Sequence, residues 1–329
     1  MSWFNFDPND FAFSFLSVLF EGVPFLLLGS LISGLVDVFV SSERMQKMLP
    51  RNPAASIFVG GLLGLVFPMC ECGSVIVIRR FIKKGLPLSA ATTYMLAAPI
   101  VSPLVALSTW AAFKGEDPWL MTSLRLSIGY LVAVTVGFIV YAIGSSRILQ
   151  PGVLGDAARR RTGLSISGEP VAEGQRDFSS IVATASTPKK LLLAIQSATA
   201  DFLDVAFYLI IGTALASVFN TAVKQEVILP LATNTPVAIL SLMGLAALLA
   251  LCSTTDAFIA WTFTTFPSAA KLAFLLFGPV FDLKLFWLYG VLFKRRYVAL
   301  LGLFLFAFIF LICWRLDAAG VFAAGLPRF

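Results

Sequence analysis

The chain has no histidine among its 329 residues. That removes the commonest zinc ligand and the commonest proton relay, so any metal chemistry must rest on thiolates or carboxylates. Cysteine is scarce as well: there are four, and only Cys70 and Cys72 are close together, which is too few for a disulfide scaffold. Charged residues make up 13% of the chain, against roughly a quarter in a soluble domain. No Gly-rich loop ending in Lys-Ser or Lys-Thr occurs, which excludes nucleotide hydrolysis on a loop of that kind.

What is abundant is apolar. Hydrophobic residues make up 58% of the chain and the mean hydropathy is +0.90, the composition of an integral membrane protein. The net charge of +6 does not point to nucleic acid, because Lys and Arg lie in short clusters between apolar segments, where they flank a bilayer. The first apolar stretch carries Glu21, follows no basic region and leads to no small-residue cleavage site. It is expected to be a retained span rather than a signal peptide.

Apolar stretches long enough to approach a ~30 Å core lie at 11–40, 54–78, 86–113, 120–146, 191–222, 236–266, 268–293 and 297–314. Residues 148–190, rich in Gly, Ser and Arg, read as a flexible cytoplasmic loop. The expected organisation is a membrane repeat over 1–147, the loop, and a second membrane repeat over 191–329. The halves match in register: Glu21 with Asp204, Gly29 with Gly212, Pro50 with Pro230, Gly64 with Gly244, Cys72 with Cys252, Pro87 with Pro267 and Pro99 with Pro279. Such duplication is a signature of secondary transporters.

The fold class expected is all-α, with two topologies open. Eight simple transmembrane helices give parallel halves. If 54–84 and 236–267 are instead re-entrant or broken hairpins, each half crosses three times and the halves are inverted. With the N-terminus outside, the inverted arrangement puts Arg44, Lys47 and Arg51, the 79–84 cluster, the 147–190 loop and the 294–296 cluster in the cytoplasm. The positive-inside rule favours it.

The stretch "FPMCECG" at 67–73 places two thiols and a carboxylate in apolar sequence. Residues two apart on a helix point about 200° away from one another, so Cys70 and Cys72 would diverge on a regular helix. Pro68 and Gly73 favour a local break in which the thiols converge. Irregular backbone is tolerated at membrane depth only where it is buried or lines a cavity, which makes the segment a candidate site. Cysteines as small gap-fillers are the plainer alternative.

In the second half Cys252 and Asp256 are four apart and would share a helical face. Thr254 and Thr255 between them either line the site or bond the preceding turn's carbonyls. The candidate substrate-binding set is Cys70, Glu71, Cys72, Gly73, Cys252, Thr254, Thr255 and Ser102. Pro68, Pro99, Pro103 and Pro279 mark helix breaks, although ordinary kinks would also explain them. Glu21, Asp204, Asp256 and Asp282 are acids in apolar sequence and are candidates for proton or cation coupling; a position near a helix end would explain Glu21 and Asp204 equally.

Residues 67–110, "FPMCECGSVIVIRRFIKKGLPLSAATTYMLAAPIVSPLVALSTW", resemble the YraQ-type predicted permease family, of which the trivalent-organoarsenical efflux permeases are a branch. The resemblance rests on the Pro-x-Cys-x-Cys-Gly core, the basic cluster, the Gly-Leu-Pro-Leu step and the Ala-Ala-Pro segment, and extends through 11–40 and 191–293. It implies a multi-pass permease of the bacterial inner membrane. Handling of a thiol-seeking substrate by the motif cysteines would carry over to Cys70 and Cys72. Glu71 stands where the arsenical branch tends to have a small residue, a departure that bears on arsenical specificity.

The expected function is therefore a secondary transporter exporting a small thiophilic solute, such as a metalloid, an organoarsenical or a soft metal species. Cys70 and Cys72 would be its ligands, and the metal or metalloid would be substrate rather than resident cofactor. The rival readings are a membrane thiol oxidoreductase cycling Cys70 and Cys72, and a scaffold docking through 148–190. The expected partners are the lipid bilayer, a small-molecule or ion substrate, and either a second copy or an accessory membrane or periplasmic protein; nucleic acid is not expected.

Overall fold

The computed structural model describes residues 8–39, 50, 52–67, 69–150, 187–222 and 234–322. Among them are thirteen helices: α1 Pro8–Phe39, α2 Pro53–Val66, α3 Glu71–Lys83, α4 Leu88–Ala97, α5 Pro103–Ala112, α6 Pro118–Ile143, α7 Ser145–Ile148, α8 Thr187–Ala222, α9 Thr235–Leu249, α10 Asp256–Thr262, α11 Ser268–Phe277, α12 Leu283–Tyr289 and α13 Arg295–Ala318. Four of them, α1, α6, α8 and α13, are long and apolar enough to cross a bilayer.

Each of the other four apolar segments is broken in two. The eight resulting helices run from 7 to 15 residues, roughly 10–22 Å each, and none crosses alone. Hairpins were expected over 54–84 and 236–267, but the 86–113 and 268–293 segments break in the same way, so eight uninterrupted helices do not form. Three of the four prolines expected to mark breaks are described. Pro99 and Pro279 sit in the turns after α4 and α11. Pro103 opens α5, where its missing N–H is no loss. Pro68 lies outside the described residues. Where no proline is available, between α9 and α10, the chain turns through Ala250 in the left-handed region, φ 51°.

α2, α4 and α6 form one bundle and α9, α11 and α13 another. Outside the bundles, α1 and α8 form the most extensive helix pair. Gly22 faces Leu209 while Gly34 faces Ala194 and Ala198, so the two run antiparallel. α3 and α12 pack on this pair and on each other, whereas α10 packs on α5, and those two barely touch α1 and α8.

The start of the expected loop is anchored. The Gln150 backbone N–H donates to Leu292 O at 3.0 Å, and the Lys294 N–H to Ile148 O at 2.9 Å. Its far end is helical, because α8 begins at Thr187; residues 151–186 lie outside the described residues.

Close helix contacts generate a paired prediction. A Cβ on Gly34 would fall 2.2 Å from Ala194 O, whereas one on Gly244 meets nothing within 4 Å. Gly34→Ala should destabilise the folded protein by about 1–3 kcal/mol, while Gly244→Ala should be neutral or stabilising by up to about 1 kcal/mol. Thermal unfolding in detergent reads both signs.

Candidate functional site

The site begins where α3 starts. Cys70 has extended backbone, φ −68° and ψ 164°, and its Sγ accepts a hydrogen bond from Gly73 N at 3.3 Å. Cys72 is already inside the first turn. Because Cys70 precedes the helix, the divergence of residues two apart does not apply, and both cysteines line one cavity. Gly29 of α1 lets the two helices meet here: a Cβ on it would sit 2.8 Å from the Gly73 Cα. The first turn of α3 is thus laid directly against α1.

A small cavity opens here, lined by Val18, Glu21 and Gly22 of α1, Cys70, Glu71 and Cys72, Leu209 of α8, Cys252, and Lys284. It leaves about 10 Å³ for the centres of water-sized molecules, roughly one water. Five of the sequence-derived candidates therefore meet around one hollow: Glu21, Cys70, Glu71, Cys72 and Cys252. All four cysteines of the chain are free thiols.

Lys284 was not among the sequence candidates. It lies in the first turn of α12, after Asp282, whose Oδ1 caps that helix by accepting from Leu285 N at 2.7 Å. The Lys284 ammonium donates to Glu71 Oε1 at 2.9 Å and to Ala250 O at 2.8 Å, with Asp282 Oδ2 at 3.5 Å. Lys284 and Glu71 are 4% and 2% exposed, so the pair is buried. Glu71 Oε2 has no hydrogen-bond partner. Removing one member of such a pair strands the other, at a cost of about 3–5 kcal/mol. The available signal was a lone lysine in an apolar segment shortly after Pro279.

A second buried network lies nearby. Arg125 of α6, fully buried, donates to Asp256 Oδ2 at 2.6 Å, to Thr109 Oγ1 at 2.8 Å and to Ser253 O at 3.0 Å. Asp256 is therefore committed to Arg125. The shared helical face expected for Cys252 and Asp256 does not exist, because α10 starts only at Asp256 and Cys252 sits in the irregular segment before it. Thr254 Oγ1 donates to Cys252 Sγ at 3.7 Å, and Thr255 Oγ1 donates to Glu21 Oε1 at 3.0 Å. The second threonine thereby ties the α9–α10 break to α1.

Two candidates lie elsewhere. Ser102 is buried in the α4–α5 break, where its Oγ accepts from Val105 N at 3.2 Å and caps α5. Asp204 pairs with Arg79 at 2.9 Å, with its side chain 60% exposed. Its neighbour Asp201 is the more embedded acid, accepting from Arg80 Nε and from Ser33 Oγ, each at 2.8 Å. The basic cluster of α3 thus clamps α8 to α1. Among the described residues no three His, Cys, Asp or Glu side chains are arranged to hold a metal ion.

Comparison with known proteins identifies the family. A family model described as a predicted permease matches residues 9–314. The UPF0718 protein YcgR of Bacillus subtilis is 34% identical over 289 residues, 87% of this chain and 90% of the relative. A protein of Streptococcus mutans named "Putative two-component membrane permease complex subunit" is 32% identical over 285 residues, 86% of this chain and 87% of the relative. No solved structure matches. With its membrane-crossing helices and a match over nearly its whole length, the chain is a multi-pass membrane protein and belongs to this predicted permease family.

Proposed function

We propose that the protein is a secondary transporter of the bacterial inner membrane that exports a small thiophilic solute, with Cys70, Cys72 and Cys252 as its ligands. The observation that carries this reading is the meeting of three free thiols from two broken segments at one cavity beside Glu71. Trivalent metalloid centres and soft metal ions prefer sulfur; the three thiols line one cavity without yet forming a ligand set, so they would have to draw together around such a solute. The chain's own residues divide the work. The broken segments hold the thiols away from lipid, and the half-helices give them room to move apart.

The movement we infer is alternating access by inverted halves. Aligning the halves pairs α1 with α8, α3 with α10 and α5 with α12. The antiparallel course of α1 and α8 fits such an inversion. At one end α3 and α12 close on the α1/α8 pair, and the bonds of Asp201 to Arg80 and Ser33 fasten that closure. At the other end their counterparts α10 and α5 hardly reach it. This asymmetry supports a state shut on the basic side, which the positive-inside rule makes cytoplasmic. The reverse state would trade these contacts for those of α5 and α10. An accessory subunit fits the name of the streptococcal relative.

Two outcomes test the reading. Cys70→Ser combined with Cys72→Ser should lower uptake of trivalent arsenicals or Cu(I) into everted vesicles at least ~10-fold, about 1.4 kcal/mol or more of lost interaction, with the protein still in the membrane. Undiminished flux would refute the thiol site. With the native cysteines replaced by serine, Lys114→Cys should react with an impermeant maleimide from outside intact cells, and Arg296→Cys only in everted vesicles. Labelling of both from one side would refute the inverted topology.

A further inference from the structure

Lys284 has no part in binding a thiophilic solute, yet the broken segments converge on it. Its ammonium is held by oxygens from three stretches of chain: Glu71 Oε1 at the head of α3, Ala250 O after α9 and Asp282 Oδ2 ahead of α12. Two of those oxygens belong to carboxylates. All three residues are buried, and the cavity wall includes both Glu71 and Lys284. Oxygens from separate segments converging on a positive centre, with carboxylates among them, describe the way proteins hold small hard cations. Here the position is taken by a side-chain nitrogen.

The surroundings offer more than one ammonium uses. Glu71 Oε2 is buried without a hydrogen-bond partner, and Asp282 Oδ2 makes no hydrogen bond and meets the Lys284 ammonium only as an ion pair at 3.5 Å. Two carboxylates face one lysine, so a single ammonium leaves the cluster short of positive charge when both acids are ionised. Buried charge left unpaired at membrane depth is costly and marks function more often than packing. The backbone is also bent to serve the cluster: Ala250, which supplies the carbonyl, is a non-glycine residue in the left-handed region at φ 51°. Among the described residues it is the one non-glycine with positive φ.

We propose that Glu71, Asp282 and the Ala250 carbonyl form a site for a small monovalent cation, and that the Lys284 ammonium is a tethered occupant which a free cation replaces during the transport cycle. The proposal rests on the permease reading for its place in that cycle. Binding itself needs no solute. Exchange of the tethered charge for a mobile one would couple the two. While Lys284 holds Glu71, α12 is fastened to α3 at the closed end; when a free cation takes over the oxygens, that strap is released and the half-helices can separate.

The test uses the purified full-length protein in detergent, unfolded thermally in NaCl, KCl, LiCl or N-methylglucamine chloride at constant ionic strength. In wild type the midpoint should be the same in all four, because the tethered ammonium outcompetes dilute ions. Lys284→Met should unfold earlier in N-methylglucamine and recover by about 3 °C or more in at least one small cation at tenfold excess over its dissociation constant. Lys284→Gln, which keeps a hydrogen-bond donor, is the second variant and should show the same selective recovery. Adding Glu71→Gln to either variant should abolish it. If neither variant responds to any small cation beyond N-methylglucamine, Lys284 is a structural counter-charge and the proposal fails. That result would leave the thiol site standing, just as unaltered flux in the cysteine variants would leave a cation response standing.

Discussion

Hydrocarbon offers no hydrogen bonds, so every peptide group freed by a break at membrane depth must be answered by another part of the protein. Four broken segments create that demand four times over, and distant side chains meet it. Lys284 donates to Ala250 O and Arg125 to Ser253 O, both after α9. Tyr94 donates to Phe67 O ahead of α3 at 3.2 Å, and Tyr289 to Val280 O ahead of α12 at 3.0 Å. Ser102 and Asp282 cap the helices that restart. Cys70 and Cys252 lie on the irregular backbone that this requirement forces inward, and Cys72 in the helical turn that follows Cys70.

The same requirement explains why charge is sparse yet concentrated. Arg125, Lys284 and Lys271 are each buried, and each has a carboxylate partner: Asp256, Glu71 and Glu116. Two of these pairs join the halves of the chain at the centre. Lys271 and Glu116 join them again near the start of α11, through the turn ahead of α6. Ion pairs of this kind add little net stability over apolar packing, but they impose register, because any other pairing strands a charge. They fix which half-helix faces which.

Much of this was legible in the chain. The apolar segments and the breaks at Pro99 and Pro279 follow from spacing and composition; Cys70, Glu71, Cys72, Cys252 and Glu21 were each candidates, but that Glu21 lines the same cavity as the cysteines depends on packing. Lys284 and Arg125 were not legible as site residues. A basic side chain inside an apolar segment marks a buried partner, but its identity depends on tertiary packing across 213 and 131 positions. Asp201 was missed for the opposite reason: it lies close to Asp204, which aligns with Glu21 and so drew the attention. The expected face shared by Cys252 and Asp256 failed because a periodicity argument holds only within a helix, and the helix begins too late. Hairpins were expected in two segments; the structure breaks four, the extra pair being those already flagged by their prolines.

The Arg125–Asp256 pair also sets an order of events at the ribosome. α6 emerges carrying an arginine whose carboxylate is encoded 131 residues downstream. At ordinary synthesis rates that is a wait on the order of ten seconds. Until then the guanidinium must be sheltered by water, by a lipid headgroup or by the insertion machinery. The amino-terminal half therefore carries a buried charge whose partner it does not encode, and its mature packing depends on the second half.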